Sequence, residues 1–146
     1  MPTAAKLFAA IAFTLVGFFT AEVIKPHMPP DTQFGAFSQI SALIGLVAGW
    51  RFLGPEAGKG MLKSANAGLK AGLVMVLLGL LIFSVEEMLV LSFRRTYHGP
   101  MEAIVGSVKL AVDFILMMFK PDVLAVVIGG SVLSGCLSEW ASRRWR

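Results

Sequence analysis

Five ionisable residues lie inside or against long apolar runs: Glu22, Glu86, Glu87, Lys109 and Asp113. A charge placed in lipid is costly, so such residues often mark ion paths or proton relays. Each also has a purely structural explanation, and that explanation is the heavier one. Glu22 reaches the headgroups beside Lys25, Glu86-Glu87 end a span, and Lys109 and Asp113, one helical turn apart, neutralise each other. The set is mostly acidic. An anion pathway would need rings of Arg or Lys, and only Lys109 is available.

The remaining chemistry-bearing residues are sparse. His27 and His98 occupy separate Pro- or Gly-marked breaks without local ligand spacing, so no metal site is expected. Cys136 is the only cysteine. One sulfur excludes an intrachain disulfide, a CxxC pair and a thiolate metal site, and its apolar setting suits a small packed side chain. No Ser/His/Asp arrangement or HExxH pair is present, and Gly58-Lys59-Gly60 is not a phosphate-cradling loop. The eight methionines are scattered through apolar blocks, where they serve packing. A non-enzymatic protein without cofactors is expected.

The elements that hold these residues are unusually apolar. Of the 146 residues 56% are hydrophobic and 15% charged, with mean hydropathy +0.76. Ordinary soluble domains sit near ~45–50% and ~25%. The excess falls in blocks too long for a chain of this size to bury away from water, so lipid is the expected solvent. The net charge of +4 comes from basic residues flanking those blocks, a placement that sets membrane orientation. Nucleic-acid binding would need basic runs interleaved with surface aromatics, and there are none.

Five blocks are legible. The first, Leu7 to Ile24, resembles a signal peptide in outline, but Phe19-Thr20-Ala21 is a poor cleavage site and the run is long, so retention is expected. Pro26, Pro29 and Pro30 make Lys25 to Gly35 a turn-rich connection. The second block is Phe37 to Leu53, closed by Trp50-Arg51 at a membrane–water boundary. Gly54 to Lys70 reads as a polar stretch. The third block runs from Ala71 to Val85 and on toward Phe93, before the break Arg94 to Pro100. Met101 to Phe119 is a helix on which Glu102, Gly106, Lys109, Asp113 and Lys120 share one narrow stripe. After Lys120-Pro121-Asp122, the last helix is Val123 to Ala141.

A helix needs ~20 apolar residues to cross the bilayer core. Blocks one, two, three and five meet that length, whereas Lys109 and Asp113 would sit near the middle of block four. With four spans, eight basic residues fall on one side (Lys6, Arg51, Lys59, Lys63, Lys70, Arg143, Arg144 and Arg146) and five on the other. That asymmetry orients both termini to the cytoplasm. A fifth span would divide the charges six against six. The expected fold is therefore all-α: one integral membrane domain over residues 1–146, with four spanning helices and a membrane-embedded amphipathic helix, and five spans as the alternative. Small residues at four-residue spacing provide smooth strips for close helix contact. These are Gly45 and Gly49 after Ser41, Gly68 and Gly72, and Gly130 with Ser134 and Ser138.

Several stretches are distinctive together: the opening Met1-Pro2-Thr3-Ala4-Ala5-Lys6, Ile24-Lys25-Pro26 with Met28-Pro29, and Ala42-Leu43-Ile44-Gly45 through Gly49-Trp50-Arg51. Glu87-Met88-Leu89, Arg94-Arg95, Tyr97, Gly99-Pro100, Glu102-Ala103, Glu139-Trp140 and Arg143-Arg144-Trp145-Arg146 complete the set, which runs nearly end to end. Together they resemble the TrgA-type family of small bacterial inner-membrane proteins associated with tellurite resistance. The resemblance implies a location and a phenotype, with no site residues. One cysteine and no cofactor motif argue against reduction of tellurite, so an indirect role is expected, through proton-coupled transport or membrane homeostasis. The alternative is an accessory subunit that packs against a larger membrane complex. The lipid bilayer is the expected partner, with self-association or such a complex beside it.

Overall fold

A computed structural model of the chain describes residues 3–28, 35–93 and 98–145. Pro29, Pro30, Arg94, Arg95 and Tyr97 lie outside the described residues. Five helices account for nearly all the rest, and no strand occurs among the described residues. Helix α1 is Thr3–Ile24 and ends in a 3-10 turn, Lys25–His27. Helix α2 is Phe37–Ala48 and continues through a π turn, Gly49–Leu53, and a 3-10 turn, Gly54–Glu56. Helices α3 (Met61–Phe93), α4 (Pro100–Met118) and α5 (Pro121–Arg144) follow.

Proline sets the starts of the last two helices. Pro100 and Pro121 each occupy the first helical position, where the missing N–H removes no bond. The residues before them, Gly99 and Lys120, are extended, as a following proline requires. Glu102 and Asp122 then sit in the first turns, facing the positive end of the helix dipole.

Four segments are long and apolar enough to cross a membrane: Ala4–His27, Phe37–Glu56, Met61–Val90 and Pro121–Arg144. The chain is thus an all-α bundle with four such helices, and α4 is the one that does not qualify. Leu7, Ile11, Leu15, Leu43, Leu73, Leu81 and Leu133 point outward and are more than half exposed. A helix apolar on all sides suits a lipid surround rather than water.

Neighbouring helices run antiparallel and meet through small residues. A methyl group added at Gly17 would strike the Ser41 carbonyl, one at Gly45 the Phe13 carbonyl, and one at Gly49 the Ala9 carbonyl. This sequence of contacts brings α1 and α2 together backbone to backbone. Gly68 faces the Ser131 carbonyl, Gly72 the Ser131 hydroxyl and Gly135 the Ser64 carbonyl, which joins α3 to α5 in the same way. Gly130 faces Val16 instead, so α5 uses a second side to meet α1. Between these seams Phe13, Ile44, Ala48, Leu53, Ala71 and Met75 form the core. A smaller cluster of Ile24, Val123 and Val127 closes one end.

Helix α3 differs from its expected bounds. The polar residues before Ala71 do not form a loop; the helix begins ten residues earlier, at Met61. Lys63, Asn66 and Lys70 lie on its exposed side while Ser64, Ala67 and Gly68 are buried. The segment is amphipathic, and its polarity reflects one wet face rather than a break. At 33 residues α3 is about 50 Å long, well beyond the ~30 Å bilayer core. Phe83 packs against Phe37, the first residue of α2, with ring centroids 4.2 Å apart and the rings tilted by 39°. The last ten residues of α3 therefore continue past the start of α2, and α4 folds back along them.

Candidate functional site

The most constrained polar group is Glu139, near the end of α5. Its side chain is 2% exposed, and among the described residues it is the only buried ionisable one. Burying an isolated carboxylate would be prohibitive, so it must be compensated by donors. Gly58 donates its backbone N–H to Oε2 at 2.7 Å, and the Ser64 hydroxyl reaches the same oxygen at 2.8 Å. Arg143 Nε donates to Oε1 at 3.0 Å from one turn further along α5.

Each donor is delivered by a different device. Gly58 and Gly60 have φ of 92° and 113°, a left-handed conformation that glycine adopts without steric penalty. They turn the α2–α3 connection inward over the end of α5. Ser64 sits in the first turn of α3 and is fully buried, with the Glu56 carbonyl 3.3 Å from its hydroxyl. Gly135, one turn before Glu139, lets α3 approach closely enough for these bonds to form. The result is a carboxylate staple joining α5, the connecting loop and the start of α3. Lys59 and Arg143 line an open hollow of about 410 Å³ above it, and Lys59 is itself paired with Glu56 at 3.0 Å.

Aromatic and basic residues surround this end. Phe8 of α1 stacks on Trp145 at 5.0 Å, Trp145 meets Trp140 edge-on at 6.2 Å, and the Arg144 guanidinium lies 5.5 Å from the Trp140 ring. Amphipathic rings mixed with arginines characterise a membrane–water boundary.

The residues singled out in the sequence are distributed differently. Glu22, at the other end of α1, accepts from Lys25 Nζ and from the Ser38 hydroxyl, both at 2.6 Å, and so ties α1 to α2. His27 Nε2 lies 3.8 Å from Asp122 Oδ2 across the same end. Glu86 is exposed and Glu87 half-buried on the distal part of α3. Lys109 and Asp113 are both exposed on α4, and among the described residues no ion pair joins them. Neutralisation within α4 is therefore not what the structure shows; a solvated or externally satisfied pair gains little from closing on itself. None of the five is bonded to another. The small residues Gly45, Gly49, Gly68, Gly72 and Gly130 all lie at helix contacts, and Ser134 is buried in α5.

Glu139 carries no local signature. Only Arg143, one turn on, is a local partner, and the two donors that bury Glu139 are 75 and 81 positions away. A weak signal existed in the combination of two glycines flanking one residue, a serine at the next helix start and a lone acid near the end of the last span. Compared with protein-family models, curated proteins and solved structures, the chain matches none.

Proposed function

We propose that the chain is a small multi-pass protein of the bacterial inner membrane, of the TrgA type, with both termini cytoplasmic. It supports tellurite resistance indirectly, without catalysing a reaction, by maintaining the membrane rather than by moving the oxyanion. The observation that carries this reading is how the buried charge is used. Glu139 is fully engaged in holding the loop at one end, and Glu22 is engaged with Lys25 and Ser38 at the other. Between them the core is built from Phe13, Val16, Ile44, Ala71 and Met75. A packed apolar interior of this kind favours membrane homeostasis over proton-coupled transport, which would draw on a string of ionisable groups.

A deletion strain assayed separately for tellurite uptake and tellurite survival tests the proposal. Survival should fall while initial uptake is unchanged, and Asp113→Asn should restore survival as well as the unaltered chain does. Altered initial uptake would indicate a direct transport role. Unchanged survival would remove the link to tellurite.

A further inference from the structure

The charges on α4 follow a pattern that neither the packing nor the proposed function explains. Glu102, Lys109, Asp113 and Lys120 are spaced by seven, four and seven residues. At 100° per residue Glu102, Lys109 and Asp113 fall within about 40° of the helix circumference, and Lys120 follows in the turn just past the end of α4. All are exposed. Among the described residues none forms an ion pair, and the Glu102 carboxylate only accepts the His98 N–H at 2.9 Å.

The spacing reads the same from either end, whereas the signs (negative, positive, negative, positive) invert. We infer that α4 is a self-recognition helix, pairing antiparallel with α4 of a second copy about a two-fold axis that passes between Lys109 and Asp113. In that register Glu102 meets Lys120 of the second copy, Lys109 meets its Asp113, and the two reciprocal pairs complete the set. Every charge on the stripe finds its opposite. Parallel pairing would place like beside like at all four positions, and slipping one turn breaks the match. An isologous contact requires this kind of self-complementarity.

Apolar surface lies beside the stripe. Val105, Val112 and Leu116 flank it and are 65%, 48% and 63% exposed, and the two-fold axis brings this flank of one copy against the same flank of the other. The opposite side of α4, including Phe114 and Met118, is already packed against the bundle. The free face is therefore the one that carries the self-complementary charges. The axis is perpendicular to α4, so copies that share the proposed orientation meet this way with α4 inclined toward the membrane plane.

Two differently tagged copies of the full chain, co-expressed and extracted in mild detergent, test the inference. The unaltered copies should copurify. Lys109→Glu in both copies, or Asp113→Lys in both, sets like charges opposite each other and should reduce copurification by roughly tenfold or more. One copy carrying Lys109→Glu co-expressed with one carrying Asp113→Lys should pair again, because the two altered stripes are complementary. This rescue also shows that each variant still folds. Failure of the unaltered copies to copurify, undiminished pairing in either matched variant, or absence of rescue between helical, monodisperse variants would each overturn the inference. So would recovery of only a different membrane protein on α4.

Discussion

Removing the Glu139 carboxylate takes the acceptor from the Gly58 N–H and leaves the buried Ser64 hydroxyl only the Glu56 carbonyl, 3.3 Å away. Losing these bonds should destabilise Glu139→Ala by roughly 1–3 kcal/mol. Ser64→Ala removes a donor but leaves the carboxylate with two others, and should cost about 1 kcal/mol. The two changes share one network, so the double variant should lose less than the sum of the singles. Thermal unfolding in detergent, followed by the fluorescence of Trp140 and Trp145 beside the site, measures all three. Equal midpoints for the unaltered protein and Glu139→Ala would mean that the staple carries no stability. This site was barely legible in the sequence because the bonds from Gly58 and Ser64 are long-range, and Arg143 four residues on reads as part of a basic tail. Glu22 was legible, since its lysine partner is three residues away.

At the scale of the helix, periodicity worked where side chains meet backbone. The four-residue repeats of Gly45, Gly49, Gly68 and Gly72 lie on contact faces, because only a missing Cβ permits backbones to approach this closely. Gly17, which faces Ser41 from the other side of the same seam, has no second glycine at that spacing, only Ala21, and was not legible. The start of α3 was misplaced for a related reason: composition averages a wet face and a buried face into one polar stretch, although Ser64, Ala67 and Gly68 already follow the helical repeat. Gly45→Ala should cost about 1–3 kcal/mol by overpacking. Gly129→Ala has open space around it and should stabilise by up to about 1 kcal/mol, the ordinary gain from replacing a helical glycine. If Gly45→Ala proves as benign as Gly129→Ala in the same unfolding assay, α1 and α2 are not in backbone contact.

For the whole molecule, the all-α class and the four long apolar helices followed from block length alone. Less legible was the α3–α4 hairpin, because α3 reads as one ordinary span with two glutamates at its end, and its excess length appears only once Phe83 is seen packed against Phe37. The Phe8–Trp145 stack places the N-terminal end of α1 and the C-terminal end of α5 together, and the Glu139 staple brings the α2–α3 loop beside them. Reporter fusions at Ala57 and at the C-terminus should therefore give the same signal, a cytoplasmic one, while a fusion at His98 reports the opposite compartment. A periplasmic C-terminus would reverse the proposed orientation. Opposite signals from Ala57 and the C-terminus would contradict the bundle itself.

The pairing of α1 with α5 also imposes an order on synthesis. Of these five helices the ribosome delivers α1 before α5, yet Val16 of α1 packs against Gly130 of α5. Until α5 emerges, α1 has α2 as its main partner, and the loop that Glu139 holds has nothing to close upon. Helix α5 is thus the one that locks both α1 and the middle of the chain. A nascent chain stopped before α5 presents the bilayer with an unfilled seam along α1.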